Sequence, residues 1–417
     1  MPNDLRSTSR RGGRLAAFVA PLLLGLPFLV TVPPEPIVRL AVAAPTSPAP
    51  ITPAVERPAA VITRAAPPVA ARRATPRRRG VSVCGVALCL DGLPRAFSGV
   101  NAYELATSWG INWGCGTQVT DTEVDRLFES LPAHSMVRFW AFQAQAFNNK
   151  TTHAIDFRPL DRIVSAAERH RQHLILTLTT QDGTCDDGHW KDAAWYRGGY
   201  RSANDDFGRG LTPLSYLRWV NAVVKRYRSS PAVAMWEPVN EPEASGCASG
   251  WHGWDCWGHL SCPSFAVATA AIRSFFDHLG RTIHALDGRH LVSSGALGGD
   301  QCGWAGDGYS TVHASRGIDV ASYHDYGSDT EAITDGIQLR IAQAHRLGKP
   351  IIAGEVGVAG GAKGSCPNLA SRARMIRAKL HAQRAAAFLV WDWSPATDGS
   401  CGFGFSSSDP LIAALAP

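Results

Sequence analysis

The chain has 417 residues, with 41 Lys and Arg against 35 Asp and Glu, a formal net charge of +6 and 45% hydrophobic residues, enough for one large domain or two ordinary ones. The charge is unevenly spread. Residues 1–80 hold 12 Arg, no Lys and only Asp4, Glu35 and Glu56 as acids, a net of +9, which leaves −3 for residues 81–417 and removes the main argument for nucleic-acid binding by that larger part.

Arg6, Arg10, Arg11 and Arg14 precede an apolar run from Leu15 to Val32, the n-region and h-region pattern of an export signal. The run is 18 residues long, at the lower edge for spanning a bilayer, and contains Pro21 and Pro27. Export is expected, either with cleavage near Ala41-Val42-Ala43 or with a retained membrane tether through residues 15–32, so the protein is read as secreted or envelope-associated, and as a monomer. Residues 33–80 carry 11 prolines among Ala, Thr, Val and Arg and cannot bury enough apolar surface to offset chain entropy. They are read as a disordered linker ahead of a folded domain at 81–417. All ten cysteines follow that linker, an even count that in an exported chain implies disulfides. Cys247, Cys256 and Cys262 lack the paired spacing of a zinc site, and connectivity is not legible from sequence.

From Val81 onward short apolar strands alternate with amphipathic helices. Val86 to Leu90, the turn Asp91-Gly92 and Ala96 to Val100 predict a hairpin leading into a first strand. A helix over Glu123 to Leu131, capped by Thr120 or Asp121, leads to a second strand, Met136 to Phe142. The helix Pro159 to His170 leads to a third, His173 to Thr180, and the helix Pro213 to Tyr227 to a fourth, Trp236 to Glu241. Strand five is Leu291 to Ala296, six Val320 to Tyr326, seven Pro350 to Glu355 and eight Ala386 to Trp393, with helices Ser264 to Leu286, Thr330 to Leu347 and Ala370 to Arg384 between them. Eight such units predict an α/β (β/α)8 barrel with long disulfide-stapled loops after the strands. A doubly wound open sheet is disfavoured, because no Gly-rich phosphate loop follows an early strand.

In such barrels chemistry sits at the carboxyl ends of the strands. The fourth strand ends at Asn240-Glu241, fixed by Pro242, and the seventh at Glu355. Arg138, His324, Tyr326 and Trp391 stand at other strand ends. Glu237 and Glu243 are the near competitors of Glu241, while alternation turns Asp325 and Asp392 away from the face that carries the others. No metal or cofactor is signalled, and none is needed.

Residues 97–103 (FSGVNAY), 137–142 (VRFWAF), 236–242 (WEPVNEP), 323–326 (YHDY), 354–355 (GE) and 390–391 (VW) make the chain resemble the retaining glycoside hydrolases of clan A, family 5, and within them the β-mannanase and cellulase-like branch. That resemblance implies Glu355 as nucleophile and Glu241 as acid/base, kept protonated by its charged neighbour and partial burial. It implies Arg138 and Tyr326 holding the charge of Glu355, Asn240 on the sugar 2-hydroxyl, His324 binding sugar or orienting Glu241, and Trp391 as an apolar floor. Asn101, Tyr103 and Trp140 are expected to line the cleft. A polysaccharide is the implied partner, with a β-mannan leading. A glucan or galactofuranan and a non-catalytic carbohydrate-binding barrel are the alternatives. Of Trp190, Trp195, Trp251, Trp254, Trp257 and Trp304, about half are expected to be loop cores rather than sugar platforms.

Overall fold

The computed structural model describes residues 80–147, 154–202, 213–249, 253–327 and 336–416, all within one compact unit that spans Arg72–Pro417. The stretches read as export signal and linker, and Trp251, lie outside the described residues.

Eight parallel strands form one sheet: β1 (Phe97–Asn101), β2 (Met136–Trp140), β3 (His173–Thr177), β4 (Val233–Glu237), β5 (Leu291–Val292), β6 (Ala321–Asp325), β7 (Ile351–Gly357) and β8 (Ala387–Trp391). Neighbours pair in chain order from β1 to β5 and from β6 to β8, and β8 returns to β1 with Ala387 opposite Phe97. A parallel bridge between Ser293 and Val320 joins β5 to β6 and closes the (β/α)8 barrel.

The strands are apolar and buried on both faces, as expected of a sheet enclosed by helices. Strand alternation sorts them: Val137, Phe139, Leu174, Leu176 and Trp236 pack outward beneath the helices, while Met136, Ile175, Met235 and Leu389 fill the barrel interior. Two positions further along the interior rows, Arg138, Thr177 and Glu237 replace apolar side chains, so the interior turns polar toward the carboxyl ends. Gly99 sits where β1 crowds β2, and a Cβ there would lie 1.7 Å from the Met136 carbonyl oxygen. The helices carry local start signals, including a Thr120–Glu123 capping box on Asp121–Ser130 and side-chain caps from Ser215, Ser264 and Asn368.

The N-terminal hairpin differs from expectation. The Asp91-Gly92 turn is present, but Ala87–Leu90 pairs with Val81–Cys84 on one side and only Leu93–Pro94 on the other. Pro94 stands at a non-hydrogen-bonded position opposite Cys89, where its missing N–H costs nothing, and the Arg95 N–H still donates to the Leu88 carbonyl at 2.9 Å before Phe97 starts the barrel. Val81 and Leu88 of this hairpin pack into the barrel's inner core.

All ten cysteines are paired. Cys84–Cys89 closes the hairpin and Cys247–Cys256 lies within the loop after β4. Cys115–Cys185 ties the loop after β1 to that after β3, Cys262–Cys302 ties those after β4 and β5, and Cys366–Cys401 ties those after β7 and β8. Three bridges thus cross-link loops on the carboxyl face. Because Cys115–Cys185 spans 70 residues, the variant Cys115→Ser/Cys185→Ser is expected to lose about 2–4 kcal/mol of stability. Denaturant unfolding of the oxidised protein checks this, and an unchanged midpoint would make the bridge redundant with the packing around it.

Candidate active site

Arg138 stands at the centre of the carboxyl end of the barrel. It projects inward from β2 and is 1% exposed. A buried guanidinium needs all five of its N–H groups satisfied, and here all five are. Nη1 donates to Glu355 Oε1 (2.7 Å) and Asn101 Oδ1 (2.9 Å), Nη2 to Glu237 Oε1 (2.6 Å) and Asn240 Oδ1 (2.6 Å), and Nε to Glu237 Oε1 (2.8 Å). Burial works against its charge, but Glu237 and Glu355 outweigh that and raise its pKa.

The groups around Arg138 are fixed in turn. Glu237, fully buried on β4, also accepts from Thr177 (3.0 Å) and Ser293 (3.2 Å). Asn101 donates to the Gly354 carbonyl at 2.9 Å, which locks β1 to β7 beside Glu355. Arg138 can only donate, so the Asn240 amide must turn its oxygen inward. Its Nδ2, 3.4 Å from Thr180 Oγ1, then has a second hydrogen free to face the cleft.

Glu355 also receives the Tyr326 hydroxyl on Oε2. Burial first, then Glu355 and Glu241, raises the Tyr326 pKa far above the usual range, so this phenol remains a donor. His324 is buried between the two carboxylates, its Nδ1 2.6 Å from Glu241 Oε1 and 3.6 Å from Glu355 Oε2. Burial disfavours its protonation, yet Glu355 and Glu241 more than compensate and raise its pKa. A carboxylate oxygen of Glu241, one of Glu355 and a ring nitrogen of His324 all lie within 4.8 Å of one another.

The backbone is shaped to allow this. Glu241 has φ of 51°, a left-handed conformation rare for a side-chain-bearing residue, and its N–H is held by the Gly295 carbonyl at 2.9 Å. A Cβ on Gly354 would lie 3.0 Å from His324 Nε2, and one on Gly357 would lie 2.3 Å from the Tyr326 ring. Two glycines flanking Glu355 thus let the imidazole and phenol reach it.

An aromatic wall borders the carboxylates. Tyr103 stacks on Trp391 with centroids 5.4 Å apart and lies 4.7 Å from Trp140, which stacks on Phe142. Trp391 and Tyr103 are half-buried, and the exposed Phe403 meets Tyr326 edge-on with centroids 5.2 Å apart.

Residues 98–397 match the sequence profile of the family described as Cellulase (glycosyl hydrolase family 5). The chain belongs to glycosyl hydrolase family 5. It is 26% identical over 319 residues to the probable mannan endo-1,4-beta-mannosidase F of Aspergillus flavus, a match covering 66% of this chain but only 60% of that relative. It is likewise 26% identical over 327 residues to mannan endo-1,4-beta-mannosidase 8 of Oryza sativa subsp. japonica, covering 67% of this chain and 79% of the relative. Among solved structures, the endo-1,4-beta-mannanase from Rhizomucor miehei superposes with a TM-score of 0.54 at 22% identity, over 81% of this chain and 97% of that one. The beta-1,4-D-mannanase from Cryptopygus antarcticus gives 0.52 at 17%, over 81% and 94%. At these identities the structural likeness speaks to the barrel fold.

In this family 5 chain the structure brings together Arg138, Asn240, Glu241, His324, Tyr326 and Glu355. Two expected cleft residues sit differently. Asn101 is fully buried under Arg138 and braces the site from below, and Trp140 is 8% exposed behind Tyr103. His324, 1% exposed, has Nδ1 2.6 Å from Glu241 Oε1, the contact required by the orienting one of its two expected roles. Glu237 is the counter-charge of Arg138, and Glu243 is buried with its N–H on Gln181. Asp325 turns away, as alternation requires, to Lys379 at 2.7 Å. Among the loop tryptophans, Trp304 is buried with its N–H on the Pro242 carbonyl, and Trp195 is buried among Tyr196, Tyr200 and Phe275. Trp190 is half-buried and donates to Ser245, and the side chains of Trp254 and Trp257 lie outside the described residues.

Asp392 corrects a simple reading of alternation, since its carboxyl does sense the site. Burial, then Glu104 and Glu355, pushes its pKa up to about 7 from 3.8. An acid that binds its proton more tightly folded than unfolded adds stability that is complete below its unfolded pKa and lost as pH rises through the folded one. Asp392→Asn should therefore match the parent near pH 3.5. Near pH 9 it should exceed it by on the order of 2 kcal/mol, a value discounted for partial exposure. Denaturant midpoints at the two pH values check this, and an equal gain at both would assign the effect to packing.

Proposed function

We propose that the protein is a retaining β-glycosidase that cleaves β-1,4-mannan internally. The observation that carries the mechanism is the approach of Glu241 and Glu355, each with a carboxylate oxygen within 4.8 Å of the other. Retaining enzymes hold their two carboxyl groups about 5–5.5 Å apart, whereas inverting ones leave about 6.5–9.5 Å for a water between them.

Glu355, gripped by Arg138 and Tyr326, attacks the anomeric carbon as a carboxylate while Glu241 gives its proton to the departing glycosidic oxygen. The C1–O bond breaks and an ester between C1 and Glu355 forms. Glu241, now a base, takes a proton from water, the water oxygen bonds to C1, and Glu355 leaves with its charge restored. His324 fixes the Glu241 carboxyl through both half-reactions. The free hydrogen of Asn240 Nδ2 faces the 2-hydroxyl of the reacting sugar, and Trp391 with Tyr103 offers a flat apolar surface to the pyranose ring.

The substrate assignment rests on the relatives, which are mannan endo-1,4-beta-mannosidases. The pairing of all ten cysteines supports an exported protein. The deciding experiment incubates the full-length protein with β-mannan, β-glucan and galactofuranan and follows the first product by NMR. Internal cleavage of mannan giving the β-anomer first is expected. An α-anomer first would overturn retention, and release of sugar from another polymer alone would overturn the substrate.

A further inference from the structure

At the end of the barrel opposite the carboxylates, between the starts of β8, β1 and β2, lies a cavity of about 420 Å³. Arg95, Ser98, His134, Ser135, His381 and Arg384 line it together with Phe388 and smaller apolar groups, and no Asp or Glu is among the lining residues. This is a cationic concavity on a domain whose own net charge is −3, so it is not the background of a basic protein.

Three buried polar atoms of its lining have no partner. Ser135 is 3% exposed and its buried Oγ has no hydrogen-bond partner, and the same holds for Arg95 Nε and His134 Nδ1. Arg95 spends only one N–H, on the Ala133 carbonyl at 3.2 Å, and its guanidinium lies 5.7 Å over the Phe97 ring. Arg384 has no ion-pair partner among the described residues. Ser98 is satisfied by the Leu415 carbonyl at 2.6 Å. The nearby carboxylate of Asp91 lies outside the lining and accepts the Gly80 N–H at 2.7 Å. Burial, then Arg95 and Arg171, outweigh the opposing charge of Asp91 and hold the His134 pKa below the usual histidine range.

Buried donors without partners are costly and rare in folded proteins. Arg95, His134 and the orphan Ser135 hydroxyl, together with the solvent-exposed Arg384 and His381, complement a group that only accepts and carries negative charge. We propose that this cavity binds a compact oxyanion, of which phosphate is the type, alone or as the ester of a small body. A cavity of this size falls in the range of small-molecule sites and leaves room beside the anion for a sugar-sized body against Phe388 and Leu380. The inference does not depend on the glycosidase reading.

The test is isothermal titration of the full-length protein with inorganic phosphate at constant ionic strength, with chloride as control. The Arg-rich residues 1–79 are common to every variant, so only differences from wild type are read. Saturable one-site binding is expected, weakened roughly tenfold or more in Ser135→Ala and in Arg384→Asn, the loss of one hydrogen bond to a charged group. Ser135→Ala should leave unliganded stability unchanged or raised, because it removes an unpaired buried hydroxyl. Glucose 6-phosphate binding more tightly than phosphate would assign the cavity to a phosphorylated sugar, and equal binding would assign it to the free ion. Binding that matches chloride, or that is unchanged in both variants, overturns the proposal.

Discussion

Glu355→Ala is expected to lower kcat on the natural polymer by between about 10⁴ and 10⁶, the range seen when a nucleophile is removed from an otherwise intact site. Glu241→Ala should cost less, about 10² to 10⁴, as the loss of one proton-transfer group. The two variants are separable by adding azide. With Glu355 shortened, azide can occupy the vacated space below the sugar and displace the leaving group in one step, giving an inverted glycosyl azide. With Glu241 shortened, Glu355 still forms its ester. Azide, which needs no base, then attacks from above to give a retained product. Without azide, an activated aryl glycoside, whose leaving group needs no proton, should rescue the first step of Glu241→Ala and leave Glu355→Ala inactive. If both variants gave azide products of the same configuration, the assignment of roles to these two residues would fail. If either kept full turnover, the two-carboxylate mechanism itself would fail.

Much of this site can be read along the chain, because a barrel delivers its chemistry at strand ends and strands alternate. Asn240-Glu241 and Glu355 stand out as polar groups closing apolar runs. Arg138, His324, Tyr326 and Trp391 follow from the same rule. What sequence does not give is closure in three dimensions. Glu237 lies inside an apolar run and reads as an inferior competitor to Glu241, because nothing local says that β2 and β4 aim side chains at one interior layer. Asn101 and Trp140 are expected in the cleft from the family resemblance, but depth along the barrel axis depends on stagger. Stagger puts Asn101 beneath Arg138 and Trp140 behind Tyr103. Gly354 and Gly357 carry a usable signal, since two glycines bracketing the strand-end carboxylate of Glu355 imply that something must approach closely. The identity of those visitors, His324 and Tyr326, comes from β6, twenty-eight or more residues upstream. The hairpin differs by one strand because Ala87–Leu90 takes its main partner from Val81–Cys84, upstream of the turn, and the chain beyond Arg95 goes to the barrel. The cysteine pairs were not legible at all, because loop proximity on the carboxyl face is a property of the closed barrel.

Arg138→Met is the substitution expected to cost most in stability. It leaves Glu237 and Glu355 in the interior without the cation that both bind, and removing one partner of a buried pair costs about 3–5 kcal/mol. Against a typical total of about 5–15 kcal/mol, that is a large fraction. The two carboxylates are not equivalent, and this makes the prediction sharp. Glu355 keeps Tyr326 and lies beside His324, whereas Glu237 keeps only the hydroxyls of Thr177 and Ser293. Most of the penalty should therefore arise at Glu237. Arg138→Met/Glu237→Gln should regain more than half of the lost stability and none of the lost activity. Arg138→Lys should fall between, since it keeps the charge but offers three donors where five are used. The readout is a double-mutant cycle in denaturant, with turnover measured on the same samples. A coupling energy near zero between positions 138 and 237 would refute the view that Glu237 serves as counter-charge. Recovery of activity in the double variant would refute the view that Arg138 works chiefly by holding Glu355 and Asn240 for the reaction.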